Sequence, residues 1–305
     1  MTSGSRRVAI LFPVYNREAI LPSTLEALRS QVFTDYVIVA VDDASRDGSY
    51  DLLLAAAQED PARWILSRNS ENLGGTGNMN RCLAIQREKV PEAAYVVKVD
   101  SDDQIAPELI DRGVHVLDAD SGAVLCHFRT LFRRGDSLED LADTPFAARL
   151  EQLGWSRRLS HRMMPRDALC IFVRYDNFVS SSSGAIVRCS ALQRLDWPWR
   201  DERFNLEDYE LWSRLAEHGS FHYVSNVTVS VQRGDFSWSG AISLSRRQRE
   251  ARVIAIRAFF RSWRQLGPMR IVKLLPIVAL KLWYLRGSWR LPSTQWQQSP
   301  ARTKE

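Results

Sequence analysis

Over the first 120 residues, short β-branched apolar runs alternate with helical patterns, and three of the runs give way to a polar cluster. Val8–Phe12 is ended by Pro13, Tyr36–Val41 (YVIVAV) runs into DDASRDGS, and Ala94–Val99 (AYVVKV) runs into Asp100-Ser101-Asp102-Asp103. Ile20–Gln31 spaces Leu21, Leu25 and Leu28 at helical intervals. Tyr50–Gln58 reads as a helix, Arg63–Leu66 as a short strand, and Gly74–Arg87 as a glycine-rich entry into a helix. Glu108–Leu117 is a further helix, with Pro107 suited to its first turn. Strands that are apolar throughout are buried on both faces. Repeated βα units therefore predict an α/β fold with a mostly parallel central sheet flanked by helices. Ligands bind such sheets beyond the carboxyl ends of the strands. Pro13–Arg17, Asp42–Asp47 and Asp100–Asp103 all fall on that edge.

The rhythm breaks at residues 134–168, which are polar and read as an irregular excursion over the site. Ser180–Val187 then reads as a turn and strand, Cys189–Leu195 as a short helix, and Leu206–His218 as a helix stopped by Gly219. Phe221–Val231 alternates as one or two strands, and two helices, about 243–265 and 269–286, flank Gly267-Pro268. The expected division is a domain over 1–240, in halves 1–120 and 121–240, followed by a basic amphipathic helical tail over 241–305.

Composition excludes several classes. The chain of 305 residues is 45% hydrophobic and 25% charged, which is globular rather than disordered. Cys82, Cys126, Cys170 and Cys189 have neither zinc-knuckle nor CxxC spacing, so reduced thiols and a reducing, cytoplasmic setting are expected. The opening MTSGSRRVAILFPVYN has too short an apolar run for a signal peptide. The net charge of +5 hides an asymmetry. Residues 246–305 hold fourteen Arg and Lys against two Glu, whereas the rest holds 27 basic and 34 acidic residues. An acidic body argues against a nucleic-acid partner. The basic tail suits an anionic surface. Its segment 271–285 (IVKLLPIVALKLWYL) is apolar almost all round but too short for a comfortable membrane span. Two outcomes stay open: peripheral membrane contact through 246–290, or packing on the domain.

Clustered carboxylates at a strand end repel one another. Asp100-Ser101-Asp102-Asp103 therefore points to a divalent cation, Mn²⁺ or Mg²⁺, shared with a diphosphate. A solvated acidic turn is the alternative. Asp42 or Asp43 can accept from a base N–H or a ribose hydroxyl, or can satisfy turn amides, while Asp47 suits a helix cap. Gly74-Gly75-Thr76-Gly77-Asn78 lacks the third glycine of a dinucleotide motif and follows the third strand, not the first, and no Walker A lysine follows it. Gly75 would instead permit close backbone approach to ligand or sheet, or serve to cap the helix, and Arg68 and Asn72 either face a diphosphate or are solvated on the surface. Glu207-Asp208 opens the helix EDYELWSRL. The pair either complements the helix dipole or aims a general base into the cleft. Trp197, Trp199 and Phe204 precede that helix and either pack in the core or a lid or offer faces to sugar CH groups. Arg233 follows the last strand and could meet phosphate charge.

In this order, these clusters resemble family-2 glycosyltransferases of the GT-A fold. The matching stretches are Pro13-Val14-Tyr15-Asn16, Val41-Asp42-Asp43-Ala44-Ser45-Arg46-Asp47-Gly48-Ser49, Asn72-Leu73-Gly74-Gly75-Thr76-Gly77, Asp100-Ser101-Asp102-Asp103 and Glu207-Asp208-Tyr209-Glu210-Leu211-Trp212. They span Val8 to about Ser239. The resemblance implies a Rossmann-like sheet with a C-terminal helical extension, a nucleotide-sugar-binding half over 1–120 and an acceptor half over 121–240. It also implies an inverting, metal-dependent transferase that uses a nucleoside-diphosphate sugar, usually a UDP-sugar, and acts on a glycan or lipid-linked hydroxyl in surface polysaccharide synthesis. By position, Pro13, Tyr15 and Arg17 would line the nucleoside pocket and Asp42 or Asp43 would contact the base. Asp100 and Asp102 would form the DxD pair, with Asp102 the direct metal ligand. Asp208 would be the general base, with Glu207, Trp199 and Arg233 nearer the substrate. Two features depart from the pattern. The loop after the last strand has Gly234 or Asp235 where many relatives have His, and Leu195-Asp196-Trp197-Pro198-Trp199 replaces a Gly-Gly-Phe pattern. A sugar-nucleotidyltransferase would need a basic, glycine-rich loop after the first strand, which PVYNRE is not. A non-catalytic nucleotide-sugar-binding protein is the other alternative.

Overall fold

The computed structural model describes residues 8–134, 137–175, 177–179, 181–195, 206–232 and 244–286. Its first half follows the expected alternation: β1 (Val8–Val14), α1 (Leu21–Arg29), β2 (Tyr36–Asp42), α2 (Ser49–Glu59), β3 (Trp64–Arg68), α3 (Gly74–Lys89), β4 (Tyr95–Lys98), β5 (Gln104–Ile105) and α4 (Leu109–Ala119). Every residue of β2 and β4 is buried, as their unbroken apolar character requires. The strands β3-β2-β1-β4 pair in parallel throughout.

The second half adds β6 (Ala123–Arg134), β7 (Ser137–Asp140), α5 (Pro145–Glu151), β8 (His161–Met163), α6 (Pro165–Arg174), β9 (Ile186–Arg188), α7 (Cys189–Leu192), α8 (Glu207–Leu215) and β10 (Ser220–Gln232). The sheet continues as β4-β9-β6-β10-β5. β9 runs antiparallel to both β4 and β6, whereas β6 and β10 pair in parallel. Residues 134–168 are thus not the irregular excursion their polarity predicts. β7 pairs with β6, β8 pairs with β10, and α6 buries Ala168, Leu169, Ile171, Phe172 and Val173 in the core.

Apolar side chains fill both faces of the sheet. On one face α1, α2 and α4 cover Ile10, Phe12, Ile38, Tyr95 and Val97. Gly113 of α4 lets that helix settle close to the sheet, because a Cβ there would collide with Ile186 and stand 3.0 Å from Phe128 Cζ. On the other face α3, α6 and α8 cover Leu11, Val39, Val96 and Phe221. That second cluster also takes in the tail helices α9 (Leu244–Leu266) and α10 (Pro268–Arg286). Ile254, Ala258 and Phe259 of α9, and Leu274 and Val278 of α10, are buried in it. α9 packs on α6 and α8, and α10 packs on α9 and α6. The tail therefore packs on the domain, which leaves membrane contact to its outer face alone. The outer face of the tail helices is nevertheless apolar: Phe260, Trp263, Met269, Val272, Leu280 and Trp283 are exposed.

Candidate active site

The carboxyl ends of β1, β2 and β4 converge, and their loops are laced together by side chains. The first loop meets the second where Asn16 N–H donates to Ser45 Oγ (2.9 Å), Arg17 N–H donates to Ser49 Oγ (2.7 Å) and Asn16 Oδ1 accepts from Arg46 N–H (2.9 Å). Asn16 (φ 49°) and Ala44 (φ 59°) are the non-glycine residues with left-handed backbone among the described residues, and both sit in these loops. Backbone of this kind persists only where its surroundings over-determine it, as this lacing does. Asp47 accepts from Ser49 N–H (3.1 Å) at the start of α2 and from Glu18 N–H (3.1 Å).

The acidic doublet after β2 divides its work. Asp43 serves α3: its Oδ1 accepts from Leu73 N–H (2.9 Å) and the Asn69 side-chain amide (2.8 Å), and its Oδ2 accepts from Gly74 N–H (3.0 Å). It thereby caps a helix whose N-cap residue, Leu73, has no side-chain acceptor. Asp42 is fully buried. Its Oδ2 accepts from Ser45 N–H (3.1 Å) and pairs with Arg68 Nε (3.0 Å), whereas its Oδ1 is buried without a hydrogen-bond partner. Of the two residues offered for base contact, Asp42 is the one with acceptor capacity to spare. Arg68, offered to a diphosphate, is instead engaged by Asp42 and lies over the Tyr50 ring (4.6 Å). Asn72 Oδ1 accepts from Gly74 N–H (3.0 Å), and a Cβ on exposed Gly75 would meet open space. Pro13 is half-buried, and Tyr15 is 39% exposed beside this loop pair.

At the end of β4, the backbone N–H of Asp100 donates to Ser183 Oγ (2.8 Å). Asp100 Oδ2 accepts from Ser182 Oγ (2.9 Å), and Oδ1 lies 3.3 Å from Lys98 Nζ. Asp102 faces Arg17 at 3.6 Å. Burial and the charge of Asp100 push the Asp102 carboxyl up to about 6. Buried Asp103 accepts from Gln232 N–H (3.1 Å) and is also pushed up, by burial and then by Asp100 and Asp102. Lys98 and Arg17 offset part of this negative charge, and the oxygen donors of a partly accessible Asp102 are of the kind a divalent cation takes. Among the described residues no group of three or more His, Cys, Asp or Glu side chains is placed to hold one. Asp100, offered as half of the metal pair, is committed to Lys98 and the two serines.

α8 brings the third acidic region in. Tyr209, Leu211, Trp212 and Leu215 bury its inner face, and Tyr209 Oη donates to Phe172 O of α6. Behind it, Glu210 pairs with Arg214 (3.2 Å), and Arg261 of α9 reaches Glu217 and donates to Ser213 Oγ (3.0 Å). This bracing aims the first turn of α8 at the end of β4. Asp208 Oδ2 lies 3.2 Å from Lys98 Nζ. Burial and the neighbouring Asp208 push Glu207 up to about 7. Lys98 is only 9% exposed. Burial lowers its pKa, but Asp100, Asp208 and Glu207 outweigh that and hold it charged. No expectation from the sequence includes Lys98. The signal was a lone charge inside AYVVKV, a strand buried on both faces, where an ammonium must find partners. Trp199 and Arg233, together with Trp197, Phe204, Gly234 and Asp235, lie outside the described residues.

A mixed sheet whose parallel strands β3-β2-β1-β4 end in loops that bring three acidic regions together has the GT-A architecture. The glycosyl transferase family 2 profile matches residues 9–195, more than half of the chain, and the protein belongs to that family. Residues 1–349 of S. aureus TarS in complex with UDP-GlcNAc superpose with a TM-score of 0.66 at 16% identity, covering 90% of this chain and 71% of that one. The mannosyltransferase PcManGT from Pyrobaculum calidifontis, in complex with GDP-Man and Mn²⁺, gives 0.59 at 16% identity, covering 94% and 76%. Among curated relatives, the poly(ribitol-phosphate) beta-glucosyltransferase of Bacillus spizizenii is 35% identical over 108 residues, which is 35% of this chain and 16% of that protein. The undecaprenyl-phosphate 4-deoxy-4-formamido-L-arabinose transferase of Serratia proteamaculans is 33% identical over 114 residues, 36% and 33% respectively. The matched stretch is thus a third or less of either relative's length.

Proposed function

We propose that this chain is an inverting glycosyltransferase that moves a sugar from a nucleoside-diphosphate sugar, a UDP-sugar by preference, to a hydroxyl of a glycan or lipid-linked acceptor in surface-glycan assembly. One observation carries this reading: Asp208 and Asp100, far apart in sequence, lie 3.2 and 3.3 Å from the same lysine nitrogen at the strand-end cleft. Donor binding would have to uncover the buried, unpartnered Oδ1 of Asp42 for a base N–H to reach it, and Tyr15 and Pro13 flank the nucleoside. Arg17 meets diphosphate charge beside Asp102. Asp102 would hold Mn²⁺ or Mg²⁺, which when bound neutralises charge on the diphosphate. Asp208 accepts the proton of the acceptor hydroxyl. The hydroxyl oxygen bonds to the anomeric carbon on the face opposite the diphosphate, as the bond from that carbon to the phosphate oxygen breaks.

The relatives' names support a lipid-linked or polymeric acceptor, and the tail supports a place for the reaction, the inner face of the cytoplasmic membrane. No described helix is long and apolar enough to cross a membrane. The outer face of α9 and α10 instead combines exposed Phe260, Trp263, Met269, Val272 and Trp283 with arginines. Arg252 lies over the Tyr284 ring (4.8 Å) where the two helices meet. The described tail carries eleven Arg and Lys against one Glu. Aromatic residues bordered by arginine suit an anionic lipid surface.

Transfer is tested with purified full-length protein, a UDP-sugar panel, Mn²⁺ and a lipid-linked acceptor. D208N should stay folded, bind donor and lose transfer, and near-normal turnover would remove Asp208 from the mechanism. The membrane reading is tested by co-sedimentation. The chain should pellet with phosphatidylglycerol vesicles and not with phosphatidylcholine ones, and F260S/W283S should stay in solution. Equal behaviour of both proteins with both vesicles would sink it.

A further inference from the structure

Lys98 is the last residue of β4 and points to the face of the sheet that packs against α8. Its neighbours Val96 and Val97 are fully buried, so an apolar residue would be the cheaper occupant. The three hydrogens of its ammonium have three acceptors at hand: Ser182 Oγ (2.9 Å), Asp208 Oδ2 (3.2 Å) and Asp100 Oδ1 (3.3 Å). The Lys98 carbonyl also accepts from Gly184 N–H (2.8 Å), fixing the turn that carries Ser182 and Ser183. A lysine kept only for packing would not draw all its partners from three separate segments of one cleft.

We propose that Lys98 is a positioning residue for transfer: by holding Asp208 Oδ2 and Asp100 Oδ1 on one nitrogen, it sets the distance between the base and the donor-binding side. This rests on Asp208 being the base. The two carboxylates do not depend on Lys98 equally. Asp100 keeps Ser182 on its other oxygen, and Ser183 binds both its backbone N–H and that same oxygen (3.3 Å). Asp208 stands on the first turn of α8, and its Oδ2 takes a hydrogen bond from the Lys98 ammonium itself (3.2 Å). Removing the ammonium should therefore misplace the base more than the donor. A misplacement of about 1 Å costs on the order of 100-fold in rate.

The test is a double-mutant cycle on kcat at saturating donor and acceptor, with the donor Kd measured separately by calorimetry. K98M should lower kcat by 10- to 100-fold and change the UDP-sugar Kd less than threefold. K98R should recover at least tenfold of the loss. K98M/D208N should be no slower than D208N, because Lys98 acts through Asp208. K98Q, polar and uncharged, is carried in parallel so that a poorly folded K98M does not decide the matter. Losses that multiply in the double variant, or a K98M and K98Q kcat within twofold of the wild type, would overturn the proposal. So would a tenfold weaker donor Kd with kcat preserved. If D208N itself keeps turnover, the base assignment fails first; if D208N is dead but the cycle is additive, only the role of Lys98 fails.

Discussion

Deleting the tail tests whether the chain has one core or a core with an appendage. Cutting after residue 243 removes α9 and α10, and with them Ile254, Phe259, Leu266, Leu274, Val278 and Leu285, each at most 9% exposed. Each of these side chains contributes about 2 kcal/mol by its burial. Six of them give roughly 12 kcal/mol, comparable with the entire 5–15 kcal/mol by which a native protein is stable. The cut also bares the sides of α6 and α8 that α9 and α10 cover, and removes Arg261 from Glu217 and Ser213 behind the helix that carries Asp208. A chain ending at residue 243 should therefore not fold. Expressed alone, it should be insoluble, or should lack a cooperative thermal transition by circular dichroism. A truncated chain that stays monomeric and melts within a few degrees of the full-length protein would refute the reasoning and make the helices detachable.

Three further outcomes follow from the same geometry. D42N leaves one oxygen and loses the charge behind the spare acceptor, so the UDP Kd by calorimetry should weaken about 10- to 100-fold, the worth of a charged hydrogen bond; an unchanged Kd would exclude Asp42 from base contact. Glu207 is pushed up to about 7, so the folded protein binds more protons than the unfolded one between its ordinary value of 4.5 and that point. The contribution of Glu207 to the stability of the metal-free protein should accordingly be full below about pH 4.5 and fade as pH rises towards 7, and urea titrations of E207Q across pH 5–7 should show a shallower fall. G113A should lower stability by about 1–3 kcal/mol, because the added methyl meets Ile186 and Phe128 in a packed layer; a melting temperature equal to the wild type would show that α4 can lift off without cost.

The first half of the fold was legible because its strands are unbroken apolar runs. Val8–Phe12, Tyr36–Val41 and Ala94–Val99 could be buried only in the middle of a sheet, and the acidic clusters after two of them marked the ligand edge. The second half was harder for physical reasons. β6 begins as a buried run, AVLCHF, but Arg129, Arg133 and Arg134 then interrupt it, and its partner β10 is far away in sequence. α6 is ten residues long between polar flanks, so its buried side, Leu169 to Val173, shows only once it is wound as a helix. In the site, the doublet Asp42-Asp43 read as two equivalent acids. Only the position of α3 reveals that Asp43 is spent on the amides of Leu73 and Gly74. Lys98 was hidden by the same run that made β4 obvious.

The two helices that close the face carrying α6 and α8 are made after every other element described above. On the ribosome, the side of α6 that α9 and α10 will cover stands bare while they are still being synthesised, and so does the apolar back of α8. Bare surface of this kind is where nascent chains stick to one another. Yield in the cell should therefore hinge on whatever shelters the emerging chain until Val278 arrives. Slowed translation or an early stop within the codons for α9 and α10 should produce aggregates rather than a shorter folded chain.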